Sequence, residues 1–196
     1  LLLTPEQVRP LYANDTAHDF DHALRVLALA TRIGQAEGAN MDILQPAVLL
    51  HDIARTEQTT TGVDHAVAGA QRARQILAGN PPNLIEAVCH AIETHRFRTG
   101  NPPQTLEAKI LYDADKLDSI GAVGVARAFA YSGQFNRPLW RDDPAAEHTA
   151  AQEFKVKLAR VKDKLFTPTA QKIAEQRHLY MLNFFEQLAA EITGER

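Results

Sequence analysis

Two histidines and two aspartates lie where a helix would normally carry apolar side chains. They are His22 in DFDHALRVLALA, the adjacent His51 and Asp52 closing PAVLLHDIAR, and Asp115 in AKILYDADKLDSIGA. An imidazole or carboxylate in such surroundings is costly unless it is hydrogen-bonded, paired or bound to a metal. Together the four offer two imidazole nitrogens, two carboxylates and no thiolate, the side-chain types of one divalent-cation site. Mn²⁺, Fe²⁺, Co²⁺, Ni²⁺, Mg²⁺ and Zn²⁺ are all compatible with this set, and the residue types do not choose among them. Four protein ligands on an octahedral ion leave two positions, suited to one water and one substrate oxygen.

The elements that position these residues read as helices. Apolar residues recur at spacings of three and four (Leu24, Leu27, Ala28; Ile43, Ala47, Leu50; Leu84, Ala87, Val88, Ile92), and alternating patterns are scarce. The chain is therefore expected to be all-α, a helical bundle. Breaks are expected at Gly38, Asp42, Gly62, Gly79-Asn80-Pro81-Pro82 and Gly100-Asn101-Pro102-Pro103. Neighbouring helical residues point about 100° apart, so His51 and Asp52 reach one ion only at a helix flank. The spacing predicts one helix from the cap Thr105 through Tyr131, with Asp115 and Asp118 on one face and Asp113 turned to solvent. Gly121 and Gly124 are then sites of close packing inside that helix. A loop over Gln134 to Ala146 holds Trp140 between Arg137 and Arg141, as a lid or a packed crossover. Two further helices, Glu147 to Phe166 and Pro168 to Ile192, follow.

At 196 residues and 45% hydrophobic content the chain suits one domain, 1–196, with a metal-site core over about 15–132 and C-terminal helices over about 147–193. A net charge of −3 gives no broad basic field, which argues against a nucleic-acid duplex as partner. The apolar runs are short and interrupted by charge, so no membrane span is expected. Cys89 is the single cysteine, and Leu1 to Leu3 carry no signal-peptide pattern, so a cytoplasmic location is the expectation. The amphipathic C-terminal helices leave a homodimer open.

The segments His18-Asp19-Phe20-Asp21-His22-Ala23-Leu24-Arg25-Val26, Leu49-Leu50-His51-Asp52-Ile53, Asp64-His65-Ala66, His95-Arg96-Phe97 and Asp113 through Ala122 carry a resemblance. The order His, His-Asp, Asp resembles the HD-domain superfamily of metal-dependent phosphohydrolases, and the segments as a set resemble its small bacterial branch. The likeness covers nearly the whole chain. It implies a single HD-domain bundle in which His22, His51, Asp52 and Asp115 bind the metal. It also implies cleavage of a phosphate ester of a small molecule, a nucleotide or nucleotide-like metabolite, by a metal-activated water.

Other residues take their candidate roles around that centre. Asp52 is a candidate for orienting the water, Lys116 for offsetting phosphoryl charge, and Asp118 is the third catalytic candidate. Arg25, one turn from His22, suits a clamp on a carboxylate or a bidentate phosphate contact. In family members with two metals, extra histidines in comparable chain order bind the second ion. Because His90 and His95 lie five residues apart, one ion is the base expectation here, with a second open. His65 and His95 are then phosphate contacts or general acids, and His90 is structural. Two rivals stand beside hydrolysis: a non-catalytic metal module that binds a nucleotide, and a di-iron oxygenase of the same fold, which needs a second metal.

Overall fold

The computed structural model describes residues 3–12, 20–96, 101–141 and 149–195. His18, Asp19, Phe97 and part of the Gln134–Ala146 loop lie outside them. The described residues are helical and contain no strand, as the spacing predicts. Contacts cluster the chain into two compact units, Leu1–Asp115 and Lys116–Arg196.

In the first unit a short helix α1 (Pro5–Val8) and a 3-10 turn lead to α2 (Phe20–Glu37), α3 (Met41–Leu50), α4 (Arg55–Thr61), α5 (His65–Ile76) and α6 (Pro82–Thr94). A longer helix, α7 (Leu106–Asp118), begins in this unit. The centre is α3. Its residues Pro46 through Leu50 are buried, and it packs against α1, α2, α5 and α6. Its start is defined by Asn40, whose side chain accepts the Asp42 amide at 3.0 Å. Gly38 closes α2 in the left-handed region, and Gly62 does the same for α4. The α4 helix is too short and polar for its own apolar period to register in the sequence.

In the second unit α8 (Gly121–Gln134), α9 (Ala150–Val156), a 3-10 segment (Leu158–Lys164) and α10 (Pro168–Thr193) pack together. Phe154 stacks on Phe185 with ring centroids 4.5 Å apart. Trp140 does not stand alone: Lys155 Nζ sits 5.8 Å from its ring centroid, and the two share an apolar groove with Leu179 and Leu182.

Three expectations need correction. The helix predicted over Thr105 to Tyr131 is two helices, broken at Ser119–Ile120, because Gly121 takes φ of 78°. A Cβ at Gly121 would stand 2.9 Å from Arg177 Cγ, and one at Gly124 would strike the Ser119 carbonyl at 2.3 Å, so both glycines form a corner. The helix predicted over Glu147 to Phe166 gives way to a 3-10 segment after Val156. Finally, Asp113 is fully buried: Ile110, Leu111, Ala114 and Leu117 are also at 0%, leaving α7 no broad solvated face there.

Candidate metal centre

The His51-Asp52 pair sits where α3 ends. The His51 amide reaches back to the Val48 carbonyl at 3.5 Å, and the chain turns over residues 51–54 before α4. Side chains from other elements hold this turn. Arg72 of α5 donates to the Ile53 carbonyl at 2.9 Å while pairing with Glu57 at 2.7 Å, and the Tyr12 hydroxyl donates to the Leu49 carbonyl at 3.0 Å. Burial and the nearby Asp52 charge push the Tyr12 phenol up, so it remains a donor. Gly69 lets α5 lie against α3, since a Cβ there would stand 3.3 Å from the His51 carbonyl oxygen.

His51 and His95 use one device. Each ends a helix, and each donates its Nδ1 hydrogen to the carbonyl three residues back, His51 to Val48 at 2.7 Å and His95 to Ile92 at 2.6 Å. Carbonyls in a helix's last turn are under-satisfied, so each can accept the ring hydrogen beside the long bond from the same histidine's backbone amide, at 3.5 Å for His51 and 3.4 Å for His95. The bond fixes the tautomer and leaves the single lone pair on Nε2. Burial drives His51 down to about 4, which outweighs the pull of the Asp52 charge, so its imidazole is neutral near pH 7.

His65, the first residue of α5 after the cap Asp64, reaches the same state by another route. Its Nδ1 lies 2.6 Å from Gln58 Oε1, which also accepts Arg96 Nη1 at 2.8 Å. Arg96 Nη1 is also 2.9 Å from His65 Nδ1, and Arg55 Nη1 is 3.1 Å from His65 Nε2. Only one ring nitrogen of a neutral imidazole accepts. The close Gln58 oxygen decides it: Nδ1 carries the hydrogen and Nε2 the lone pair. Burial lowers the His65 pKa, opposed by Asp52.

These nitrogens converge on Asp52, which is 3% exposed. Its Oδ2 is 3.8 Å from the Nε2 of His22 and 3.8 Å from that of His51. Its Oδ1 is 3.2 Å from His65 Nε2 and 3.7 Å from His95 Nε2. Asp115 Oδ1 completes the first side, 3.4 Å from His22 Nε2. Burial works against the Asp52 charge, but the surrounding His51, His65 and His95 outweigh it and hold the carboxyl well below the usual range.

This arrangement fits cations. His51 Nε2 and Asp52 Oδ1 are buried and make no hydrogen bond, and a buried polar atom left so costs about 1–3 kcal/mol. Ligand atoms each about 2.1 Å from an ion and about 90–110° apart stand roughly 3.0–3.5 Å from one another. The spacings of 3.2 to 3.8 Å are near that range. Among the described residues, two groups have ligand atoms within 4.8 Å of one another: His22, His51 and Asp52, and Asp52, His65 and His95.

The first unit thus gathers His22, His51, Asp52, Asp115, His65 and His95. Arg25 lies half-buried on α2, one turn from His22. Lys116 and Asp118 follow Asp115 on α7 and belong to the second unit. Lys116 is half-buried, while Asp118 is 1% exposed and pairs with Arg127 Nη1 at 2.8 Å. His90 Nε2 accepts the Gln104 amide at 3.3 Å. Sequence reasoning overlooked Arg55, Gln58, Arg72 and Gly69. Arg55 had one local signal, its place three residues after Asp52 on the same turn.

The HD domain family model matches residues 19–120. The uncharacterized protein YpgQ of Bacillus subtilis is 36% identical over 198 residues, covering 96% of this chain and 94% of its own. The crystal structure of YpgQ in complex with ADP superimposes with a TM-score of 0.79 at 33% identity, covering 97% of this chain and 99% of that one. A predicted HD-superfamily hydrolase from an uncultured Thermotogales bacterium aligns with TM-score 0.72 at 34% identity, covering 95% and 90%. An HD-superfamily hydrolase of Bacillus thuringiensis aligns with TM-score 0.79 at 31% identity, covering 96% and 94%. With a buried His/Asp cluster on the HD fold and relatives matching along nearly its whole length, the chain belongs to the HD-domain family.

Proposed function

We propose that this chain is a metal-dependent phosphohydrolase that cleaves a phosphate ester of a nucleotide or nucleotide-like metabolite at a centre of two divalent cations sharing Asp52. One observation carries the reading: the two oxygens of Asp52 face separate histidine pairs, His22 with His51 and His65 with His95. His22, His51, Asp52 and Asp115 would hold one ion, and Asp52, His65 and His95 the other. Ions bound there supply Lewis acidity toward a phosphoryl oxygen and make water a stronger nucleophile at neutral pH.

The chain's own residues do the rest. The Val48, Ile92 and Gln58 oxygens lock the tautomers of His51, His95 and His65, so each ligating nitrogen carries its lone pair without a tautomer change. Asp52 stays ionised and fixes the spacing of the two groups. Arg55 brings a fixed positive charge to the edge of the cluster, where phosphoryl charge would lie. The ADP in the YpgQ complex supports a phosphorylated nucleotide as the ligand class.

The test is phosphate or pyrophosphate release from a nucleotide panel by Mn²⁺-loaded wild type and Asp52→Asn. Release by the wild type and background rates in the variant support the reading. The histidine group on Asp52 Oδ1 also keeps a di-iron oxygenase in view, because that chemistry needs two metals. Two irons per chain with an O₂-dependent optical change, and no phosphate release, would favour it.

A further inference from the structure

Arg55 opens α4 immediately after the His51-Asp52 turn. Its Nη1 stands 3.1 Å from His65 Nε2 and 3.8 Å from Asp52 Oδ1, and its side chain is 31% exposed. Those two acceptor atoms belong to the second cation group. An imidazole nitrogen has one lone pair, in the ring plane. His65 Nε2 can accept a hydrogen bond from Arg55 or ligate an ion, but it cannot do both.

We propose that Arg55 is a resident counter-cation on the second metal position, so that the second ion binds only when Arg55 withdraws onto an anionic phosphoryl group. The inference rests on the two-cation reading above. Without an ion, the guanidinium holds the His65 nitrogen and offsets the Asp52 charge beside it. When a divalent ion takes the place, it meets Arg55 as a like charge in a site largely shut off from water, where repulsion is poorly screened. A phosphate bound at the mouth relieves this by giving the guanidinium a bidentate partner. Its partial exposure leaves Arg55 room to swing outward, whereas Arg96, on the other side of His65, is tied to Gln58 and Asp64. The second ion and the phosphoryl group therefore bind with positive coupling, and Arg55 sets the order of loading.

The test is calorimetric titration of Mn²⁺ into wild type and Arg55→Met, each with and without inorganic phosphate. Methionine keeps much of the side-chain bulk and removes the charge, and helical circular dichroism checks that both proteins are folded. The expected result is one tight ion in wild type alone, a second when phosphate is present, and a second in Arg55→Met without phosphate. The gain should be about tenfold to a hundredfold, the strength of a hydrogen bond to a charged group. Adding His65→Ala to Arg55→Met should abolish the second event. Equal second-ion isotherms for wild type and Arg55→Met, or a second ion insensitive to phosphate in the wild type, would overturn the role of Arg55 while leaving the metal centre standing. No ion in either folded protein would instead remove the two-cation reading, and this inference with it.

Discussion

His65 Nε2 and Asp52 Oδ1 stand 3.2 Å apart, both buried and both within reach of the Arg55 guanidinium. His65 comes thirteen positions after Asp52 in the chain, and the two meet because α5 packs against α3 with Gly69 at the contact. Arg55 touches both, and a metal ion would satisfy both more fully.

Metal removal should cost stability. Ions that bind only the folded chain add about 2.7 kcal/mol per site at a hundredfold excess over Kd. For a chain of this size each kcal/mol is worth roughly 2–4 °C, so Mn²⁺ added to chelator-treated protein should raise Tm by about 5–10 °C. A melt unchanged by Mn²⁺, with no ion retained, would count against a specific site.

Gly69→Ala tests the contact that brings α5 to the His51 carbonyl. Alanine in a helix interior ordinarily gains about 1 kcal/mol over glycine. Here the added Cβ lies 3.3 Å from a backbone oxygen and 3.5 Å from Ile92 Cγ2, and overpacking of this kind costs about 1–3 kcal/mol. The variant should show no stabilisation in urea unfolding with chelator present, and its Mn²⁺ affinity should fall. A gain of 1 kcal/mol with unchanged affinity would show that the close approach does not matter.

Asp118→Asn separates structure from chemistry at that residue. Its carboxylate is buried against Arg127, whose side chain is 24% exposed, so loss of the charge should cost about 1–3 kcal/mol, less than a fully buried pair. Turnover by the folded, metal-loaded variant should stay within a few-fold of wild type. A collapse of kcat with stability unchanged would support Asp118 as a catalytic residue.

Gly121→Ala should destabilise the α7–α8 corner by about 1–3 kcal/mol. The left-handed φ of 78° is unfavourable for alanine, and its Cβ would press on the Arg177 side chain that also donates to the Leu117 carbonyl. Urea unfolding gives the value; a change below about 0.5 kcal/mol would show that the corner relaxes freely.

Much of the centre could be read from the sequence because its residues break local rules. His22, the His51-Asp52 pair and Asp115 interrupt apolar helices, and such exceptions ask for a partner. His65 and His95 enter the sequence reading through the resemblance alone, because neither interrupts an apolar run and their meeting depends on how α5 packs on α6. The five-residue spacing of His90 and His95 argues against a tight pair between them, and in the structure His90 accepts the Gln104 backbone amide instead. The break after Asp118 was hidden because Leu117, Ile120 and Val123 continue a helical period across it. The burial of Asp113 was missed for a related reason: period analysis assumes one solvated face, and α7 has little there.

The most direct test of the shared-carboxylate centre is equilibrium dialysis against Mn²⁺ with inorganic phosphate, followed by elemental analysis of wild type, His22→Ala, His95→Ala and Asp52→Ala. The predicted stoichiometries are about two ions per chain for wild type, about one for each histidine variant and none for Asp52→Ala, all with helical content intact. A wild type that holds no ion, or an Asp52→Ala protein that keeps both, would contradict the account.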